Sequence, residues 1–259
     1  MNATHLIYRV EHAGQQVHVV CVDGSWRQLQ GDLFGQYTPG SLVDPADCRV
    51  LAPVVPSKIV AVGLNYRDHA QEMNKPLPDV PLIFLKPSTA VINTGDAIVI
   101  PAGAGRVDFE AELAVVIGRR AKAVAACDAM DYILGLTCMN DVTARELQSL
   151  DVQYTRAKGF DTFAPLGPAI AVGLDARALD VEAWLNGDCR QASNTRELIF
   201  NITQLVEFVS SVMTLLPGDV ISTGTPSGVG PLVPGDEIIV KVPGVGELTN
   251  RVIAAGNPA

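Results

Sequence analysis

The chain has 259 residues, 48% of them hydrophobic and 18% charged, which is long enough to bury a sizeable core and too apolar for disorder. A net charge of −9 with no basic cluster argues against nucleic acid or an anionic membrane surface as a partner. Five widely spaced cysteines without a CxxC pair suit reduced thiols and exclude the usual zinc spacings; with no signal-like start and no apolar run of transmembrane length, a soluble, cytoplasmic protein is expected.

Residues 5–29 read as a small β-meander. Two alternating runs, LIYRVEH and QVHVVCV, are separated by Ala13-Gly14, and a third follows the turn at Asp23-Gly24. His5, His12 and His18 read as surface or strand histidines. Turn-rich chain at 37–41 and LAPVVPS at 51–57 mark a linker, so a small N-terminal β domain over 1–56 and a larger domain over 57–259 are expected.

From Lys58 an apolar strand, KIVAVGLNY, runs through a turn into the helical composition of RDHAQEM. His69 and Glu72 then share one helix face, and a carboxylate beside an imidazole is how a general base is oriented. The same spacing is common in helices without a catalytic role. Next comes NKPLPDVP, residues 74–81, whose three prolines forbid helix or inner strand. It reads as a stiff surface loop, either a lid over the His–Glu pair or a plain connector.

After LIFLKPSTAVI and the strand AIVIP comes residues 106–118, RVDFEAELAVVIG. As one strand it alternates: Val107, Phe109, Ala111 and Leu113 face one way, Asp108, Glu110 and Glu112 the other. Carboxylates two residues apart on a strand lie roughly 6.5–7 Å apart at Cα and can converge on one small object. A strand heading into a core holds such charges only with a cation, and carboxylate oxygens suit Mg²⁺, Ca²⁺ or Mn²⁺. A solvated acidic strand face explains the same pattern.

ILGLTCMND reads as a buried strand ending in Asp141, ahead of the helical run VTARELQSL. Asp141 stands where an N-cap would, and equally at a strand end, where ligands gather. Arg145 and Gln148 share a face of that helix, and both can bind a carboxylate. Lys158, between small residues and ahead of an apolar stretch, is more site-like than an average surface lysine. An Asn186-Gly187 hairpin turn follows. Asn201 and Gln204 have capping-box form and open a helix with Leu205, Val206, Val209, Val212 and Met213 on one face. The remainder is strand and turn, including TGTPSGVG, whose glycines permit close backbone approach and whose Thr225 offers a hydroxyl.

In that order, GLNYRDHAQEM, FLKPST, DFEAELAVVIG, MND with TARELQ, AKGFD and STGTPSGVG closely resemble the fumarylacetoacetate hydrolase family, from about residue 57 to the C-terminus. The resemblance implies a mixed α/β, predominantly β fold around a twisted, rolled sheet, preceded by the small N-terminal β domain, and a homodimer. It implies Mg²⁺ or Mn²⁺ held by Glu110, Glu112 and Asp141. It also implies a His69–Glu72 base pair, an active-site lysine at Lys158, and Arg145, Gln148 and Thr225 at positions that hold the carboxylate and keto oxygens of a small 2-keto acid. Breaking a bond to C3 of such an acid leaves an enolate, whose charge the cation and Lys158 offset. Hydrolysis of an acylpyruvate such as fumarylpyruvate is the first expectation, because a complete water-activating pair is present. The alternatives are decarboxylation (oxaloacetate or 5-oxopent-3-ene-1,2,5-tricarboxylate) and isomerisation of 2-hydroxyhepta-2,4-diene-1,7-dioate, reactions of aromatic-compound catabolism. A non-catalytic binding protein would show a broken His–Glu pair or a lost lysine, and the sequence shows neither.

Overall fold

The computed structural model describes residues 4–256; the expectations that touch residues 1–3 and 257–259 lie outside them. The chain opens with β1 (His5–His12), β2 (Gln15–Val22), β3 (Ser25–Gly31), β4 (Tyr37–Leu42) and β5 (Arg49–Leu51). As expected, Ala13-Gly14 and Asp23-Gly24 make the first two hairpin turns, each with both residues at positive φ. β6 (Ile59–Gly63), α1 (Arg67–Glu72), β7 (Leu82–Lys86), β8 (Val91–Ile92) and β9 (Ala97–Ile100) follow. The middle of the chain supplies β10 (Val107–Phe109), β11 (Ala111–Ile117), β12 (Ile133–Asn140), β13 (Thr143–Ala144), α2 (Arg145–Leu150) and α3 (Thr155–Lys158). It ends with β14 (Ala164–Val172), β15 (Asp180–Leu185), β16 (Asp188–Asn194), α4 (Ile202–Val212), β17 (Val220–Ser222), β18 (Gly230–Pro231), β19 (Glu237–Val242) and β20 (Gly246–Ala254).

A 12-stranded sheet runs β4-β3-β2-β1-β14-β12-β11-β17-β6-β7, with β5 paired to β1 and β8 to β14 off that path. β8, just beyond β7, pairs in parallel with β14, so the far end of the path curls back onto its middle. This is the rolled, mostly β architecture expected. The expected boundary at residues 56 and 57 falls between β5 and β6, and the sheet continues across it through the antiparallel pair β1–β14. A 5-stranded sheet, β16-β15-β19-β20-β9, and a 3-stranded one, β13-β10-β18, complete the fold.

β11 lies at the centre and is buried along its whole length. Leu113, Val115 and Ile117 join the main core, while Ala114 and Val116 join a second core with Ile7 and Val20 of the N-terminal strands. Burial on both faces is why AVVI reads as a continuous apolar run. α4 has the expected capping box, Asn201 accepting from the Gln204 N–H and Gln204 from the Asn201 N–H. Its buried face is Ile202, Leu205, Val206, Val209 and Ser210; Val212, expected on that face, is exposed.

β17 is parallel to β6 and antiparallel to β11, and β12 is antiparallel to β11. The ends of β6, β12 and β17 and the start of β11 therefore meet at one edge of the sheet. No helix among the described residues is long and apolar enough to cross a membrane.

Candidate active site

Residues 106–118 are two strands, not the single one expected. β10 pairs with β13 and β18 in the small sheet, and β11 pairs with β12 and β17 in the large one. Glu110 stands at the break, where backbone groups lose their ladder partners and find others. The Glu110 N–H donates to Asn140 Oδ1 at 2.9 Å and the Ala111 N–H to Gln191 Oε1 at 2.9 Å. The Asp141 N–H donates to the Glu110 carbonyl at 2.9 Å, and the Thr225 hydroxyl to the Ala111 carbonyl at 2.9 Å. Asp108 consequently parts from the two glutamates and pairs with Arg106 and with Arg145 at 2.8 Å.

Glu110, Glu112 and Asp141 are all buried, and one oxygen of each lies within 4.8 Å of the others. Of the two readings of Asp141, helix cap and strand-end ligand, the cap does not form: α2 starts at Arg145 behind Ala144, with no side-chain cap, and the Asp141 carboxylate is taken by two lysines. Lys158 Nζ bridges Asp141 Oδ2 at 2.6 Å and Glu110 Oε2 at 2.8 Å. Lys86 Nζ donates to Asp141 Oδ1 at 2.6 Å and to the Val142 carbonyl at 3.1 Å. Arg145 reaches the other oxygen of Glu110 at 2.6 Å.

Among the described residues no cation pairs with Glu112; its carboxylate accepts from the Ser222 hydroxyl and from the Gly224 N–H. The pKa directions follow. Burial would raise the Glu110 carboxyl, but Lys158 and Arg145 outweigh it and hold it at about 2. Burial, with Asp141 and Glu110 beside it, pushes the Glu112 carboxyl well above the usual carboxylate range. Burial pulls the Lys86 ammonium down in spite of Asp141. Three hard oxygen donors on one point, one of them without a counter-charge, fit a hard divalent cation.

Across the cavity, His69 Nδ1 lies 2.9 Å from Glu72 Oε2. An ionised carboxylate only accepts, so the ring donates through Nδ1 and leaves Nε2 to exchange protons. Glu72 is itself held: its Oε1 accepts from the Gly228 N–H at 3.0 Å. The loop after β17 thus ties down Glu112 through Gly224 and Glu72 through Gly228. At Gly228, φ is +95° and a Cβ would fall 2.1 Å from the Arg190 carbonyl oxygen, so only glycine fits.

All nine residues singled out from the sequence are brought together, eight of them lining one cavity of about 770 Å³ with Glu72 behind His69. Arg145 spends its guanidinium on Asp108, Glu110 and Gln148, and Thr225 Oγ1 also accepts from Gln191 Nε2 at 2.9 Å. Reasoning from sequence missed Lys86, Asn140, Gln191, Ser222 and Gly228. For Lys86 the one local signal is a lysine inside an apolar strand, LIFLK; its partner is 55 residues away.

Residues 58–253 match the family model described as fumarylacetoacetate (FAA) hydrolase C-terminal. The fold is similar to that of a 5-carboxymethyl-2-hydroxymuconate delta-isomerase from Mycobacterium smegmatis, at 44% identity and TM-score 0.91 over 96% of this chain and 100% of that one. It is also similar to a maleylpyruvate hydrolase from Sphingobium sp. SYK-6, solved with manganese(II) and pyruvate, at 29% identity and TM-score 0.80 over 97% of this chain and 100% of that one. In sequence the chain is 42% identical over 216 residues to a mitochondrial oxaloacetate tautomerase of Bos taurus, covering 78% of this chain and 69% of that protein.

Proposed function

The chain belongs to the fumarylacetoacetate hydrolase family, and from that premise we propose that it moves a proton at C3 of a small 2-keto acid, as an isomerase or tautomerase. The observation that carries this reading is one cavity lined by the buried triad, Lys158 and His69, with Glu72 hydrogen-bonded to His69. Glu110, Glu112 and Asp141 would hold a divalent cation such as Mg²⁺ or Mn²⁺, which would supply a Lewis acid for the 2-keto carbonyl.

Lys158, fixed between Glu110 and Asp141, presents an ammonium to negative charge developing on the C2 oxygen. His69 Nε2 takes the C3 proton or returns it elsewhere on the chain of carbons, with Glu72 stabilising the imidazolium in between. Of the three residues expected at the carboxylate end, Arg145 and Thr225 are engaged by protein partners, and Gln148, held through its Oε1 by Arg145, keeps its amide N–H groups for that end. Phe84, whose ring centroid lies 4.9 Å from Lys158 Nζ, shields the floor from water.

Hydrolysis of an acylpyruvate, the first expectation from sequence, stands second. The complete His69–Glu72 pair favours it, since the same base activates water. The isomerase and the tautomerase are the more similar relatives, at 44% and 42% identity against 29% for the hydrolase.

Proton NMR in D₂O with Mg²⁺ or Mn²⁺ separates the readings. Deuterium should enter C3 of oxaloacetate above the enzyme-free rate, and a hydroxyheptadienedioate should rearrange without losing a fragment. His69→Ala should slow both by ~10²–10⁴-fold. Pyruvate plus an acid as the only products, from fumarylpyruvate, would install hydrolysis instead. Silence across the panel would remove both.

A further inference from the structure

The cations that line the cavity divide into engaged and unengaged. Arg145 is held by Asp108 and Glu110, Lys158 by Glu110 and Asp141, and His69 by Glu72. Lys75 also lines the cavity, and its side chain makes no hydrogen bond or ion pair among the described residues.

Its backbone, in contrast, is fixed. α1 ends in a Schellman motif: Asn74 takes the left-handed conformation at φ +52°, its N–H donates to the Gln71 carbonyl at 3.0 Å, and the Lys75 N–H reaches the Ala70 carbonyl at 2.9 Å. Asparagine tolerates that conformation better than most residues, and Pro76 then blocks any continuation of the helix. Lys75 therefore leaves the same short element that carries His69 and Glu72, with its Cα held and its long side chain free to reach.

Its surroundings on the rim are Met73, Pro76, Leu77 and Leu82, with Asp79 the other charged residue there and not paired to it. A lysine alone at an apolar opening keeps its hydration until an anion arrives, so meeting one there requires little desolvation.

We propose that Lys75 is a specificity-determining residue. It receives the second carboxylate of a 2-keto dicarboxylate, at the end remote from the 2-keto acid. This rests on the 2-keto acid reading of the cavity floor. A substrate with an uncharged far end would gain nothing from the lysine.

The test uses two probes of equal chain length, 2-oxoadipate and 2-oxohexanoate, titrated calorimetrically into the full chain with Mg²⁺ present. The wild type should bind the dicarboxylate roughly 5- to 30-fold more tightly, as expected for one charge-assisted contact at a partly exposed site. Lys75→Met should erase that ratio by weakening 2-oxoadipate alone, and Lys75→Arg should keep most of it. Equal binding of both probes by the wild type, an unchanged ratio in Lys75→Met, or equal weakening of both probes overturns the assignment while leaving the 2-keto acid reading in place. If neither probe binds the wild type, that reading falls and the assignment falls with it.

Discussion

Within one cavity, floor and rim are built in different ways. On the floor, Glu110, Glu112, Asp141, Lys158 and, behind them, Lys86 are each at most 5% exposed, and they sit on or beside four different strands and a short helix. Every charge except that of Glu112 has a partner of opposite sign. On the rim, Met73 is 44% and Leu77 52% exposed, and the residues come from one contiguous stretch that runs from the end of α1 through the proline-rich loop to Leu82 at the start of β7. The floor needs the whole rolled sheet before it exists, whereas the rim needs one helix turn and a cap. Reaction chemistry is thereby locked to the global fold, and substrate choice is left to a segment that can change without disturbing it.

Glu112→Ala should break the contrast hardest on the chemical side. It removes the one triad member that has no cation to satisfy, so Mn²⁺ binding and turnover should fall to background. Folding stability should suffer far less, because the lost carboxylate was buried beside two like charges. Mn²⁺ titration by electron paramagnetic resonance, run beside urea denaturation, reads both. Full metal-dependent activity in this variant would show that the triad is not the centre of the chemistry.

Lys86→Met probes the same floor from behind, where nothing touches the cavity. It strips one oxygen of buried Asp141 and the Val142 carbonyl of their donor. Breaking one side of a buried pair costs roughly 3–5 kcal/mol, so the urea midpoint should drop clearly more than in Glu112→Ala. A loss below about 1 kcal/mol would mean that Lys158 alone satisfies Asp141.

The division also decides what the sequence could reveal. The pair His69–Glu72 and the capping box of α4 are short-range patterns that stand where their spacing placed them, and Glu110 and Glu112 converge as expected although not on one strand. The break at Glu110 left no trace in the alternation, since the side chains that absorb it, Asn140 and Gln191, come from 30 and 80 residues away. Asp141 resembled an N-cap for the same reason: its true partner, Lys86, arrives only when β7 and β8 bring the sheet round to β14. Gly228 read as one of several glycines that permit close backbone approach, and only the folded loop shows its N–H on Glu72. Local rules reached the acids and the helix, and long-range pairing supplied their counter-charges.

The smallest expected effect lies on the rim, where the sequence left a lid and a connector equally open. The Schellman motif splits the segment. Asn74 and Lys75 donate their N–H groups to α1, whereas the N–H groups of Leu77, Asp79 and Val80 donate to no acceptor among the described residues. Any lid must therefore hinge after Lys75 and involve residues 76–81 alone. Hydrogen exchange with and without oxalate, Mg²⁺ being present in both, should show the Asn74 and Lys75 amides protected throughout. The amides of Leu77, Asp79 and Val80 should slow by roughly tenfold on binding, equivalent to about 1.4 kcal/mol of added local stability. If those three exchange equally fast in both states, the loop is a connector, and the rim recognises substrate through the reach of its side chains without closing. If Asn74 and Lys75 become protected only with oxalate, the cap itself forms on binding, and the rim is less preformed than its hydrogen bonds indicate.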